Sequence, residues 1–393
     1  MTPTAAAQIS SPLRAARVAN SVAFGLQGFF LAVILTELPQ QRDRFGLSDT
    51  TILLAVVTIS LLAAGGSVLA ERLAVHWSSR VALRIGLGLI ACTGLGIALA
   101  PNVAVLLIAL GGYGIAVGVV DASTNMQAVF IQHGYGRFVL SSFYAAWSAG
   151  SILGALFVAG CEKIHITVTE AILVAAAVVL VAGWAFGSRL LGTRQAEAEP
   201  AEAAAAEIVG LRAYFAIGVA MALVFAIDLA VGNWSALYLK DELLSSSATA
   251  ALALAAYQGA SLLTRLTGDI FVRRFGPRVV VRTAAAIGTL GLALVIAAPT
   301  PILALAGFLV AGLGLPVIAP LCFSEAGELT GGRGLDAVIA RLNLFNYAGT
   351  LVGGGVVGAL ADATSLRIGF AIPLAFAVLL IAAARYFHPR RAG

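Results

Sequence analysis

Charge is the scarcest property of this sequence. Of its 393 residues only 24 are Lys or Arg and 19 are Asp or Glu, 11% in all, whereas 60% are hydrophobic and the mean hydropathy is +0.98. So low a charged fraction excludes an ordinary soluble domain, where roughly a quarter of residues are charged. Cysteine is scarce too: Cys92, Cys161 and Cys322 lie far apart in apolar stretches, which argues against both a disulfide framework and a metal site. No HExxH, Walker loop, dinucleotide fingerprint or nucleophile–base constellation occurs in a suitable context. The GxG triplets (GYG, GLG) lie inside apolar runs with no strand before them, which argues against an ATP-driven pump. No enzyme activity, cofactor or metal is expected.

What is abundant is apolar sequence in runs of about 20 residues, the length a helix needs to cross ~30 Å of hydrocarbon. Twelve spans are predicted, at 15–38, 50–71, 81–100, 102–130, 138–161, 166–190, 210–238, 247–272, 279–298, 301–325, 338–360 and 366–387. The basic residues before the first run resemble a signal peptide, but the run continues to Leu38 without a convincing cleavage site, so it reads as the first spanning helix. Between the sixth and seventh spans lies GTRQAEAEPAEAAAAEIV (192–209), polar and broken by Pro200. It divides the chain into a six-helix half over 1–191, a linker over 192–209 and a second six-helix half over 210–393. The fold class expected is an all-α membrane protein with two pseudo-symmetric halves.

The net charge of +5 reads as a topology signal, because Lys and Arg cluster beside helix ends; no nucleic-acid partner is expected. With both termini in the cytoplasm, nineteen of the 24 basic residues fall on that side and five on the other, so this orientation is predicted, in the plasma (inner) membrane. An offset of 198 lays Glu71 on Asp269 and Arg80–Arg84 on Arg278–Arg282, and one of 199 lays Gly150-Ser-Ile-Leu-Gly154 on Gly349-Thr-Leu-Val-Gly353. Paired six-helix repeats are the frame of rocker-type secondary transporters, with a binding site between them.

Polar residues inside the spans mark that site. Gly114, Gly118, Asp121 and Asn125 share one face of the fourth span, so the glycines are expected to clear space beside the acid. A charge facing lipid there costs roughly 3 kcal/mol or more, which places Asp121 towards protein or a water-filled cavity. Asp228 is the matching interior acid of the seventh span. Each has two readings: a structural acid bonded to neighbouring helices, or a carrier that loads and releases a proton as access alternates. Asn20 and Gln27 are co-facial in the first span; Ser141, Tyr144, Ser148 and Ser151 line the fifth; Tyr257, Gln258, Ser261 and Thr264 line the eighth; Asn343, Asn346, Tyr347 and Thr350 line the eleventh. The third, sixth, ninth and twelfth spans have no interior charge and suit a lipid-facing position.

With these features in place, the chain resembles the major facilitator superfamily over essentially its whole length. LPQQRDRFGLSDT (38–50), DASTNMQAVFIQHGYGRFVLSSFYAAWSAGSILGAL (121–156) and GNWSALYLKDEL (232–243) are similar to its fucose-permease-like bacterial branch. The resemblance implies the superfamily fold, alternating access and a central cavity lined by the first, fourth, seventh and tenth helices. The superfamily's signature after the second helix of each half is recognisable in Gly268, Asp269, Arg273, Arg274, Gly276 and Arg278. In the first half only Glu71 and Arg80 remain, with HWSS (76–79) in place of the glycine turn.

These observations converge on a secondary transporter of a small polar solute, sugar-like or weakly acidic, acting as a monomer in the lipid bilayer. Proton coupling is assigned to Asp121 and Asp228, and solute contact to Gln27, Asn125, Tyr144, Tyr257, Gln258, Asn343, Asn346 and Tyr347. Trp147 and Trp234 could stack on a sugar ring or serve as packing and anchors. Glu71 with Arg80, and Asp269 with Arg265 or Arg278, are expected to be gate pairs. Glu37 is expected to be a solvated rim charge, and Pro316 and Pro320 to kink the tenth helix. Two further readings are efflux of amphipathic compounds and a non-transporting sensor on a transporter scaffold.

Overall fold

Short polar residues and prolines mark where the helices begin. In the computed structural model, which describes residues 10–192, 203–330 and 334–389, Ser48, Ser78, Asn102, Ser246 and Ser365 each accept a backbone N–H from the first turn of the helix they precede. Thr167 and Glu170 form a reciprocal capping box, and Pro12, Pro277 and Pro301 occupy first-turn positions where no donor is lost. The first six helices are α1 (Ser11–Phe45), α2 (Asp49–His76), α3 (Ser79–Ala98), α4 (Val103–Tyr135), α5 (Leu140–Lys163) and α6 (Val168–Gly187). The last six are α7 (Ala203–Leu237), α8 (Ser247–Phe275), α9 (Pro277–Ala297), α10 (Pro301–Leu329), α11 (Leu335–Ala363) and α12 (Leu366–Tyr386). No strand occurs among the described residues.

Among the described residues, eleven helices are long and apolar enough to span a membrane. The remaining one, α8, has 29 residues, but Arg265, Asp269, Arg273 and Arg274 lower its hydropathy. Most of the 192–209 stretch lies outside the described residues, and α7 takes up its end from Ala203. At the other extreme α1 runs on through Pro39 to Phe45, seven residues past the expected end.

Within the first six helices α1 packs on α5, α2 on α4, and α3 on α4 and α6; within the last six α7 packs on α11, α8 on α10, and α9 on α10 and α12. Helices in lipid gain little from hydrophobic exclusion, so close contact depends on small residues. The repeat seen in the sequence does this work twice. A Cβ on Gly150 or Gly154 would strike the α1 backbone at Gly25 or Phe29, and one on Gly349 or Gly353 would strike α7 at Ala222 or Ala226. The same device therefore seats α5 on α1 and α11 on α7.

Gly114 and Gly118 act likewise, and this corrects the sequence expectation. Their missing Cβ atoms admit the α2 backbone at Ile59 and Ala63, so they dock α4 on α2 and do not open space beside Asp121. Glu37 is also corrected. It is 3% exposed, with one carboxylate oxygen buried and unbonded, and it lies within α1, which runs on to Phe45. In α10 a 3-10 turn over Leu315–Val317 absorbs Pro316. The Gly312 carbonyl, whose partner Pro316 cannot be, accepts Thr264 Oγ1 at 3.1 Å.

The two groups of six meet chiefly where α2 packs on α11 and α5 on α8. Twelve alternating helices bring the start of α1 and the end of α12 to one face of the bundle, here called the termini face.

Candidate functional site

Asp121 stands at the centre of a polar cluster drawn from three helices. Its Oδ1 accepts Gln27 Nε2 of α1 at 3.2 Å. Its Oδ2 accepts Asn343 Nδ2 at 3.1 Å, Asn346 Nδ2 at 3.2 Å and Tyr347 OH at 3.1 Å, all from α11. The four donors are buried while Asp121 is half-buried. The i, i+3, i+4 spacing on α11 is what aims three donors at one oxygen. Every donor is neutral, so the carboxylate is solvated by protein dipoles with no cation among these partners.

Two layers support this cluster. Asn343 also donates to Ser67 Oγ of α2 at 3.0 Å. Asn125 Nδ2 donates to the Asp121 carbonyl at 2.9 Å and its Oδ1 accepts Tyr144 OH at 3.1 Å. Asn20, co-facial with Gln27, instead bonds the Thr124 carbonyl at 3.1 Å and ties α1 to α4.

Asp228 is served differently. Tyr257 OH donates to its Oδ1, and Arg265 Nη2 lies 3.8 Å from Oδ2. Arg265 is 6% exposed. It donates through Nη1 to Ser148 Oγ of α5 at 2.7 Å, and its guanidinium lies 5.8 Å from the centroids of both the Tyr144 and Trp147 rings. It therefore reaches from the last six helices into the first. This corrects its expected pairing with Asp269. Arg265 is one helical turn from Asp269, but its side chain points away from the termini face towards Asp228.

The remaining expected gate pairs are also rearranged. Asp269 accepts the backbone N–H groups of Ser141 and Ser142, each at 3.0 Å. Those are orphan donors of the first turn of α5, whose N-cap residue Val139 offers no side-chain acceptor. Glu71 takes Arg341 of α11, with Nη2 at 2.9 Å and Nε at 3.4 Å, and does not pair with Arg80. Arg278 donates to the carbonyls of Phe387 and Arg385 at 2.8 and 3.0 Å, holding the end of α12 against the turn between α8 and α9. Arg80 lies beside Gly192. Gln258 is exposed and outside the bonded network, whereas the other expected solute contacts belong to it.

Arg341, Ser67 and the α5 amides were not among the sequence candidates. Arg265 carried a usable signal, since it lies ten residues before the end of α8, too deep for a helix-end anchor. Gln132 Nε2 to Ser324 Oγ at 2.5 Å adds a further link between the first and last six helices. All the cross-links named here lie in the half of the bundle nearer the termini face. A groove of about 330 Å³, lined by Val81, Leu87, Leu180 and Trp184 among others, lies on α3 and α6, remote from both acids. Its apolar lining fits acyl chains better than a polar solute.

Comparison with known proteins places this geometry. The Major Facilitator Superfamily model matches residues 213–393. An uncharacterized transporter of Sinorhizobium fredii is 30% identical over 91% of this chain and 94% of its own. An uncharacterized MFS-type transporter of Yersinia pestis is 26% identical over 94% and 95%. Among solved structures, the fucose:proton symporter of E. coli superposes with a TM-score of 0.78 at 16% identity, covering 97% of this chain and 100% of that one. At that identity the likeness is one of fold.

Proposed function

The chain belongs to the major facilitator superfamily of transporters, and from that premise we propose that it moves a small polar solute by alternating access, coupled to protons through Asp121. The observation that carries this reading is the composition of the Asp121 cluster. Four neutral donors hold the carboxylate, and three of them come from the opposite six helices. A rocking motion that separates α4 from α11 removes those three donors and leaves the acid to water. Protonation is thereby linked to which face is open. The likeness in fold to a sugar:proton symporter is consistent with such coupling.

The cross-links near the termini face support a state closed on that side. The excess of basic residues predicted from the sequence for the termini side supports cytoplasmic termini, and on that reading the state faces outward. In a background lacking native cysteines, Lys163→Cys should then label from outside intact cells and Arg274→Cys should not; the reverse pattern overturns the orientation. The coupling is tested in proteoliposomes. An imposed inward proton gradient should drive solute accumulation, and collapse of that gradient by a protonophore should abolish it. Accumulation indifferent to the protonophore removes proton coupling from the proposal.

A further inference from the structure

Arg265 is poorly satisfied for a buried guanidinium. A guanidinium carries five N–H donors; one meets Ser148 Oγ at 2.7 Å, while Nε is buried and meets no acceptor. Its contact with Asp228 is 3.8 Å, beyond hydrogen-bond reach. The Nε–Nη2 edge, the fork that engages a carboxylate through two parallel bonds, is thus not engaged by any acceptor within hydrogen-bond distance. Asp228 meanwhile has a second partner of its own in Tyr257, so it stays bonded if Arg265 turns away.

We propose that Arg265 is the anchor for the carboxylate of a small monoanionic solute, which takes the open Nε–Nη2 edge of the guanidinium and replaces Asp228 as its counter-ion. This rests on the transporter reading above and names the class of its solute. Three features select that class. Arg265 is the one cation in the cluster among the described residues, and its single charge can pass from Asp228 to one carboxylate, whereas a dianion such as a phosphate ester would keep an unmatched charge. The Tyr144 and Trp147 rings, each centred 5.8 Å from the guanidinium on one face of α5, offer flat faces to a short hydroxylated body. The same guanidinium touches Ser148 of α5 and Asp228 of α7, so an anion bound there is sensed by both groups of helices. A neutral solute can accept ordinary hydrogen bonds from this edge but not the charge-assisted pair a carboxylate makes, and it leaves Asp228 where it is.

The experiment compares carboxylates with their isosteric primary amides, which differ in charge and little else. The probes are glucuronate, galacturonate, gluconate and lactate, each beside its amide, measured by thermal stabilisation of the purified protein. At least one acid should bind tenfold or more tightly than its amide. The double variant Arg265→Gln with Asp228→Asn, which leaves no unpaired buried charge, should reduce that ratio to about one, and Arg265→Lys should leave it intermediate. Wild-type protein that treats every acid like its amide, by binding both or neither, overturns the proposal, as does a ratio that survives in the double variant. Flux of the same probes in proteoliposomes separates the two claims. An acid that binds through Arg265 without crossing the membrane defeats the transport reading alone, and an amide carried as well as its acid defeats the anion site alone.

Discussion

The first and last six helices use their acids in opposite ways. Asp121 and Glu71 both look across to α11, the one for Asn343, Asn346 and Tyr347 and the other for Arg341. Asp228 stays with Tyr257 and Arg265 of its own group, and Asp269 is lent to α5. The interior acid of the first group thus depends on the other group for three of its four side-chain donors, whereas that of the last group is served whichever way the bundle rocks. An acid whose solvation changes with conformation can couple protonation to access. An acid whose phenol and cation come from its own six helices keeps them within reach as the bundle rocks, so its charge is not tied to which face is open. The internal repeat gives the two groups one backbone plan, and these pairings make them chemically unlike.

The largest effect expected from breaking this contrast is at Asp121. Asp121→Asn keeps the shape and can still accept through its amide oxygen, but it cannot release a proton. Exchange of solute across the membrane should persist, since it needs no net proton movement, while accumulation against a gradient should fall tenfold or more. A well-folded Asp121→Asn protein that accumulates solute like wild type would transfer the coupling role to Asp228. At Asp228 the contrast predicts a stability effect first. Asp228→Asn strands Arg265 as a buried cation, at a cost of about 3 kcal/mol for a broken buried pair, less in proportion to the 23% of the Asp228 side chain that stays exposed. Adding Arg265→Gln should recover most of the lost thermal stability. A single variant as stable as wild type would mean that the 3.8 Å contact contributes nothing.

How far this arrangement could be read from sequence varies with the kind of interaction. The twelve helices follow from apolar run length, and the repeated Gly-x-x-x-Gly of α5 and α11 is visible in the sequence, though not that it seats them on α1 and α7. The α11 stripe of Asn343, Asn346 and Tyr347 was legible because helical spacing fixes which residues share a face. Its convergence on Asp121 was not, since spacing within a helix says nothing about which helix it meets. The gate pairs failed for a related reason. Glu71 with Arg80, and Asp269 with Arg265 or Arg278, are neighbours in sequence, whereas the partners in the structure, Arg341 and the α5 amides, lie far along the chain. A backbone amide also leaves no trace in a search for opposite charges. Gly114 and Gly118 show the limit of reading a face: the same missing Cβ serves a cavity or a close helix contact, and only the position of α2 decides. In one place chemistry replaced pattern. The second group turns from α8 to α9 through Gly276 at φ +84°, a conformation suited to glycine, while in the first group Ser78 caps α3 directly, so HWSS makes its turn without a glycine.

The smallest expected effects concern the two closures at the termini face, and here the comparison sharpens. Asp269 accepts two amide protons at a helix N-terminus, that of Ser141 buried and that of Ser142 partly so, where the α5 dipole favours negative charge. Asp269→Asn loses that charge and one of the two acceptors, a loss of about 1–2 kcal/mol to the closed state. Glu71–Arg341 has good geometry, but the Arg341 side chain is 63% exposed, and an exposed pair contributes about 0–1 kcal/mol, weakened further by salt. Both bonds exist only while the closure holds, so both variants should raise the fraction of molecules open at the termini face. Asp269→Asn should do so several-fold and independently of ionic strength. Glu71→Gln should do so at most by a small factor, which shrinks further as salt is added. Distance distributions between spin labels on α2 and α11, and on α5 and α8, read the two closures separately. Equal shifts in the two variants would show that the α5 amides gain nothing from Asp269 beyond an ordinary surface charge. A larger shift for Glu71→Gln would make Arg341 the main latch and reverse the order of the two groups.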